Sequence, residues 1–81
     1  MQQRRQVVRR PLEQEALLLH IRAMRKEHVK TQAQVAKGIN LSRSQYTALE
    51  GGRSMFTFDH LVSLALFYHQ SLSTFLLVGG L

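Results

Sequence analysis

An all-α fold, made of five short helices and no strands, is what this sequence predicts. Apolar residues recur every three or four positions, which is the spacing of one buried helix face. Serine and threonine residues stand just before these periodic segments, where their side-chain oxygens can cap a helix. No stretch alternates apolar and polar residues in the manner of a half-buried strand. Helices alone therefore account for the pattern.

The predicted helices follow one another with short connections. Pro11 suits the first turn of the first helix, which we expect over residues 12–28. The later helices are expected over residues 32–38, 43–50, 58–69 and 72–77. Their predicted N-caps are Thr31, Ser42, Thr57 and Ser71. Gly51 and Gly52 are expected to end the third helix, since glycine tolerates the left-handed conformation found at helix C-termini.

Charge is distributed unevenly along the 81-residue chain. The formal net charge is +6, and all 11 Lys and Arg residues lie between Arg4 and Arg53. From Ser54 to Leu81 the only formal charge is Asp59. A basic half favours a polyanionic partner. An apolar and nearly uncharged half favours a protein core or a subunit interface.

Length and composition exclude several classes of protein. The length fits one domain, which we divide into a basic N-terminal arm over residues 1–10 and a helical domain over residues 11–81. The absence of cysteine excludes disulfides and thiolate metal sites. No apolar run reaches the length of a membrane span, so we expect a cytoplasmic protein.

Catalysis and metal binding find no support in the residue pattern. No Ser-His-Asp grouping and no glycine-rich phosphate loop can be argued, so we expect no enzyme and no cofactor. The histidines lack the spacing of a zinc site, and we expect ordinary surface or edge positions for His20, His28, His60 and His69.

The span from Gln32 to Gly51 has the spacing of a helix-turn-helix. Ala36 stands where the two helices would approach closely, so that only a small side chain fits. Asn40 falls at the turn, where a positive φ is wanted and asparagine is the next-best residue after glycine. The apolar contacts that lock the helix pair are predicted from Val35, Ile39, Leu41, Tyr46 and Leu49.

The stretch from about Ile21 to Leu76 resembles the Cro/C1 repressor (XRE-type) family of DNA-binding proteins. The resemblance rests on four segments in one ungapped register and on the closing helix pair from Thr57 to Leu76. The four segments are Met24-Arg25, Thr31-Gln32-Ala33-Gln34-Val35-Ala36, Leu41-Ser42-Arg43-Ser44 and Leu49-Glu50-Gly51-Gly52. The resemblance implies a five-helix, lambda-repressor-like domain whose third helix enters the major groove of double-stranded DNA.

The resemblance also implies roles for individual residues. Arg43 and Ser44 would face base edges, where an arginine can bond guanine O6 and N7. Thr47 lies one turn further on the same face and could contact a thymine methyl. Gln45 could reach a base or a phosphate, and Arg53 is expected at the DNA backbone. The family pairs the positions of Arg25 and Glu50 between the first and third helices.

Phosphate contacts are expected at two further places. Gln32 opens the second helix, whose N-terminus can bind a phosphate. The arm could meet phosphates or a minor groove, or it could be a solvated tail without a function. Its basic residues are Arg4, Arg5, Arg9 and Arg10.

Three positions depart from the family pattern. Val29 stands where the family often has glycine, so the first helix must end without a glycine cap. Tyr46 replaces the usual Ile or Val, and its hydroxyl needs a partner. Met55-Phe56 replaces Asn-Pro after the third helix and could change how a dimer is built.

A homodimeric regulator, most simply a repressor of a palindromic operator, is the first hypothesis. We expect the apolar half to hold more large side chains than two short helices can bury, and a symmetric contact would cover the remainder. Cover by the first helix is the alternative. The interface residues expected are Met55, Phe56, Phe75, Leu76, Leu77 and Val78.

Two other functions remain open at this point. An antitoxin would bind operator DNA and also a toxin protein, with residues 1–16 as the segment that contacts the toxin. A nucleic-acid module without sequence specificity would use basic charge alone. The capped third helix argues against this last alternative.

Overall fold

A computed structural model describes residues 12–76, with side chains from residue 14 onward. Over that range helices are the only regular secondary structure, which confirms the predicted fold class. The helices are α1 (Leu12–Glu27), α2 (Gln32–Gly38), α3 (Arg43–Glu50), α4 (Phe58–Tyr68) and α5 (Ser73–Leu76). Each bound lies within one residue of its prediction. The arm over residues 1–10 and Pro11 lie outside the described residues.

Three helices start with the predicted caps, each in a reciprocal capping box. Thr31, Ser42 and Thr57 accept a bond from the backbone N–H three residues later, at 3.0, 3.0 and 3.1 Å. The side chain at that later position accepts from the cap's own N–H. Ser71 differs, because its hydroxyl lies 2.7 Å from Ser73 Oγ. The caps fix where α2, α3 and α4 begin.

Left-handed residues follow the ends of α1 to α4. Asn40 has φ of 66° and Gly52 has φ of 82°, as their positions predicted. Val29 and His69 adopt φ of 55° and 56°, although neither is glycine. Each of these residues is followed by an N–H that bonds back to the carbonyl five residues earlier, as in a Schellman motif. This motif turns the chain sharply after every helix from α1 to α4.

All five helices contribute to one hydrophobic core. Leu18, Ile21 and Met24 supply the apolar stripe of α1. The other buried apolar residues are Val35, Ala36, Ile39, Tyr46, Leu49, Phe56, Leu61, Leu64, Ala65, Tyr68 and Phe75. Leu17, Leu41, Phe67, Leu72 and Leu76 lie at its margin, partly buried.

Two phenylalanines expected to be left exposed are in fact buried in this core. Phe56 is 9% exposed, with its ring edge-on to Tyr46 at a centroid distance of 6.3 Å. Phe75 is 2% exposed and lies edge-on to His20 of α1 at 5.7 Å. The expectation of exposure is therefore wrong, because α1 and α3 offer them cover within one protomer. Phe58, the first residue of α4, points outward and is 60% exposed.

None of the helices within residues 12–76 combines the length and the apolar character that a membrane crossing requires.

Candidate nucleic-acid interface

The α2 and α3 helices form the predicted helix-turn-helix. Ala36 is fully enclosed where α2 meets the turn, and its carbonyl accepts the Leu41 N–H at 2.8 Å. Val35, Tyr46 and Leu49 are buried beside it. Because this contact is tight on the inner side, α3 is held at a fixed angle with its outer side facing solvent.

Five of the predicted DNA-contacting residues line one surface depression on that outer side. They come from the start of α2, the exposed side of α3 and the segment after α3, and they are Gln32, Arg43, Ser44, Thr47 and Arg53. A second depression adjoins it and shares Gln32 and Arg43. Lys30 and Thr31 also line this second depression, so cationic side chains border both.

Arg43 is exposed at the first position of α3, and no described residue bonds its guanidinium. A cation at a helix N-terminus is disfavoured by the helix dipole, and no acidic residue in the first turn offsets it. Neither dipole nor ion pairing therefore accounts for an arginine here. Its donors are available to an external acceptor.

Arg53 occupies the opposite end of α3. Its N–H bonds the Ala48 carbonyl at 2.9 Å. Its guanidinium lies over Gly51, since a Cβ on that glycine would meet Arg53 Nη1 at 3.1 Å. A cation at a helix C-terminus is favourable. The helix end thus holds this charge at the rim of the depression.

Gln45 is turned away from the other predicted contacts. Its Oε1 accepts the Ser42 N–H at 2.8 Å in the capping box. It borders a different groove, together with Leu41, Met55 and His60. The structure therefore assigns the Gln45 carbonyl oxygen to the helix cap, and its amide N–H groups remain exposed.

An ion pair between the partly buried Arg25 and the buried Glu50 fixes α3 to α1. Arg25 Nε lies 2.6 Å from Glu50 Oε2, and Arg25 Nη2 lies 3.1 Å from Oε1. Arg25 Nη1 also donates to the Lys30 carbonyl at 3.1 Å. The two residues that the family resemblance pairs thus make a bidentate contact. Glu50 is 2% exposed, so this charge depends on its partners.

Two further side chains donate to Glu50. The Tyr46 hydroxyl bonds Oε2 at 2.6 Å, which gives this unusual tyrosine the partner its burial requires. Gln32 Nε2 donates to Oε1 at 3.1 Å. The carboxylate therefore accepts bonds from α1, α2 and α3, and it fixes the three helices around the candidate interface.

The electrostatics of this cluster follow from burial and hydrogen bonding. Burial alone would raise the pKa of Glu50, but bonds from Arg25, Tyr46 and Gln32 outweigh it and lower that pKa. The hydrogen bond to Glu50 raises the pKa of Arg25 further above its ordinary value. Burial, then the bond to Glu50, raises the pKa of Tyr46. The folded protein therefore holds an ionised Glu50 beside a neutral Tyr46.

Sequence reasoning missed several contacts of this cluster, including one from Arg22 and one from Gln32. Arg22 Nη1 donates to the backbone carbonyl of Glu50 at 2.7 Å and so binds the end of α3. Gln32 was expected only at a phosphate, yet its Oε1 also accepts the Thr47 hydroxyl at 3.3 Å. These partners stand 28 and 15 residues apart. No local spacing would have indicated either pair.

The residues predicted at a dimer interface lie in different environments in the structure. Phe56 and Phe75 are in the core, as described above, and Leu76 is partly buried against it. Met55 is 66% exposed. Leu77 and Val78 lie outside the described residues, as do Arg4, Arg5, Arg9 and Arg10 of the arm.

An exposed apolar stripe that the sequence did not indicate runs along α4. Phe58 and Leu66 are 60% and 72% exposed, and Val62 lies between them on the same face.

Among the described residues, no group of three or more histidine or acidic side chains is placed to hold a metal ion.

Comparison with known proteins supports the structural interpretation. The model of a family described as "Helix-turn-helix domain" matches residues 20–80. Comparisons with curated proteins and with solved structures gave no match. The family match spans α2, the turn and α3, on which the depression with Arg43 and Arg53 is built. The chain therefore belongs to the helix-turn-helix domain family of DNA-binding proteins.

Proposed function

We propose that this protein is a sequence-specific transcriptional regulator of the Cro/C1 type that reads operator DNA with α3. The observation that carries the proposal is the shared depression of Gln32, Arg43, Ser44, Thr47 and Arg53. Its basic and polar lining suits phosphates and base edges. The bonds that Glu50 accepts from Arg25, Gln32 and Tyr46 supply the rigidity that a helix needs to enter the major groove.

Arg43 is proposed as the main base-reading residue. Its guanidinium is exposed and has no partner among the described residues. A bidentate contact with guanine contributes about 1–3 kcal/mol of discrimination. Gln32 and Arg53, at the edges of the same depression, suit phosphate contacts that set the register of α3 on the duplex.

Selection of bound sequences from random DNA tests this proposal. Wild-type protein should enrich one motif, and Arg43→Ala should lose selectivity at one base pair of each half-site. Lys26→Ala is the matched control, because Lys26 is an exposed cation that borders neither depression. That control should weaken binding to all sequences slightly and equally. Equal losses from both variants, on specific and random DNA alike, would defeat a base-reading role.

A homodimer is the proposed operator-binding form, with the α4 stripe as its interface. Within residues 54–76, the large exposed apolar residues of the nearly uncharged half are Met55, Phe58 and Leu66. Two copies of a chain with a net charge of +6 repel one another. A contact through this uncharged face keeps most of the like charges apart. Two recognition helices about 34 Å apart would then read a palindrome.

Repression follows most simply from this arrangement, since a dimer bound at an operator excludes other proteins from the same DNA. The oligomeric state is the critical test. Leu66→Glu should give a folded monomer with much weaker operator binding. Leu19→Glu is the control, because Leu19 is an equally apolar residue of α1 that is 62% exposed. Sedimentation of a wild-type monomer at micromolar concentration, with one protomer per operator, would contradict the dimer.

A further inference from the structure

The hydrogen bonds that join Glu50 to Thr47 have a defined direction. Glu50 is buried and ionised, so its Oε1 can only accept, and Gln32 Nε2 donates to it at 3.1 Å. This contact fixes which end of the Gln32 amide faces Glu50. The other end, Oε1, therefore faces Thr47 Oγ1 at 3.3 Å.

The same logic assigns the proton of the Thr47 hydroxyl. An amide carbonyl oxygen only accepts, so Thr47 must be the donor in its bond with Gln32. A hydroxyl has one proton and two lone pairs. With its proton committed to Gln32, Thr47 Oγ1 offers only lone pairs to a ligand in the depression that it lines.

Ser44 provides a contrast within the same depression. It lines the surface beside Thr47 and is exposed, and its hydroxyl has no bonded partner among residues 14–76. A free hydroxyl rotates and can either donate or accept. Of these two neighbouring hydroxyl groups, only the one on Thr47 has its polarity fixed from within the protein.

We infer that Thr47 accepts a hydrogen bond from a DNA base, and that it thereby selects adenine or cytosine over guanine or thymine at one base of each half-site. This inference rests on the proposed function. In the major groove adenine and cytosine present amino donors. Guanine O6 and thymine O4 are acceptors, and they would face the Thr47 lone pairs without a proton between them. A base with an amino group thus takes the place of the thymine methyl that the sequence led us to expect at Thr47. Gln32 is then a positioning residue for specificity, in addition to any phosphate contact.

Selection from random DNA with three variants tests the inference. The wild-type motif should contain a base position that favours A or C, and Thr47→Val, which keeps the shape but removes the hydroxyl, should erase that preference alone. Thr47→Ser should retain it. Gln32→Met removes the internal acceptor and frees the Thr47 proton, so the preference for A or C over G or T should fall about tenfold. Lys26→Ala, the control outside both depressions, should leave this position unchanged.

The outcomes separate this inference from the proposed function. If wild-type protein enriches no motif, sequence-specific binding itself fails. If a motif is enriched but Thr47→Val changes no position, or changes one that prefers G or T, the acceptor role of Thr47 is overturned while the proposed function stands. Because Gln32→Met removes a bond to Glu50, its thermal unfolding is measured in parallel. The Thr47 variants decide the question if Gln32→Met does not fold.

Discussion

The Tyr46 hydroxyl donates a hydrogen bond to Glu50 Oε2 over 2.6 Å, one helical turn away within α3. Both side chains are buried, at 0% and 2% exposure. The bond supplies a donor to an ionised carboxylate that is almost completely shielded from water. It also satisfies a hydroxyl that burial would otherwise leave unpaired. Tyr46 is thus part of the polar cluster as well as of the hydrophobic core.

Removing this hydroxyl should destabilise the protein measurably. Tyr46→Phe should lower the free energy of unfolding by about 1.5–3 kcal/mol, the range for a hydrogen bond to a charged group. Urea unfolding followed by circular dichroism measures it. Tyr68→Phe is the matched control, because the Tyr68 hydroxyl is also buried but has no hydrogen-bond partner in the described part of the chain. That control should be neutral or stabilising. Equal losses in both variants would contradict the role of the Tyr46 bond.

Stability should also fall in acid because of Glu50. Its pKa is lowered in the folded protein, so the ionised form stabilises the fold above the unfolded pKa of about 4.3. That contribution is lost as the pH falls through the folded pKa, where the unfolded chain binds the proton first. The free energy of unfolding, measured from pH 7 down to about pH 3, should therefore decrease.

The control for this prediction removes both charges of the pair. Glu50→Gln alone would leave Arg25 as an uncompensated charge, which is strongly destabilising. The double variant Arg25→Gln, Glu50→Gln avoids that and should show a shallower loss of stability in acid. An unchanged slope would mean that other carboxylates cause the acid sensitivity.

Local signals predicted the helices of this protein well. Thr31, Ser42 and Thr57 cap the helices they were expected to cap. Asn40 adopts the positive φ that its place in the turn required. Caps and turns depend on neighbours along the chain, so sequence spacing carries the necessary information.

Tertiary contacts were less predictable. Phe56 lies in a connection and Phe75 in a four-residue helix, where no periodicity indicates which way a side chain points. Phe58 opens α4 but begins its outer face. The Gln32 contacts join residues 15 and 18 positions away. The sequence therefore indicated five side chains that line one depression, but it did not indicate the hydrogen bonds of Gln32.

Val29 should be a point where a substitution stabilises the fold. It has φ of 55° after α1, a conformation that costs an L residue about 1–2 kcal/mol and is least suited to a β-branched side chain. The side chain is 85% exposed, so its removal loses little packing. Val29→Gly should raise the free energy of unfolding by about 1 kcal/mol. Val29→Ala should gain less, because alanine keeps a Cβ in the left-handed region. A loss of stability in Val29→Gly would show that no strain is present at this turn.

Gly38→Ala should destabilise the protein, although helix propensity alone predicts a gain of about 1 kcal/mol. Gly38 closes α2 against the ring of Phe67, and a Cβ there would lie 2.2 Å from Phe67 Cε1. The ring is partly buried against the core and contacts Tyr68 edge-on at a centroid distance of 4.9 Å, so its displacement would cost packing. We expect a net loss of about 1–3 kcal/mol in the free energy of unfolding, typical of overpacking.

Phe67→Ala removes the obstacle, and in that background Gly38→Ala should become neutral or stabilising. Thermal or urea unfolding of the four proteins gives the coupling energy between the two sites. A Gly38→Ala effect that is the same in both backgrounds would mean that the Phe67 ring does not restrict the end of α2.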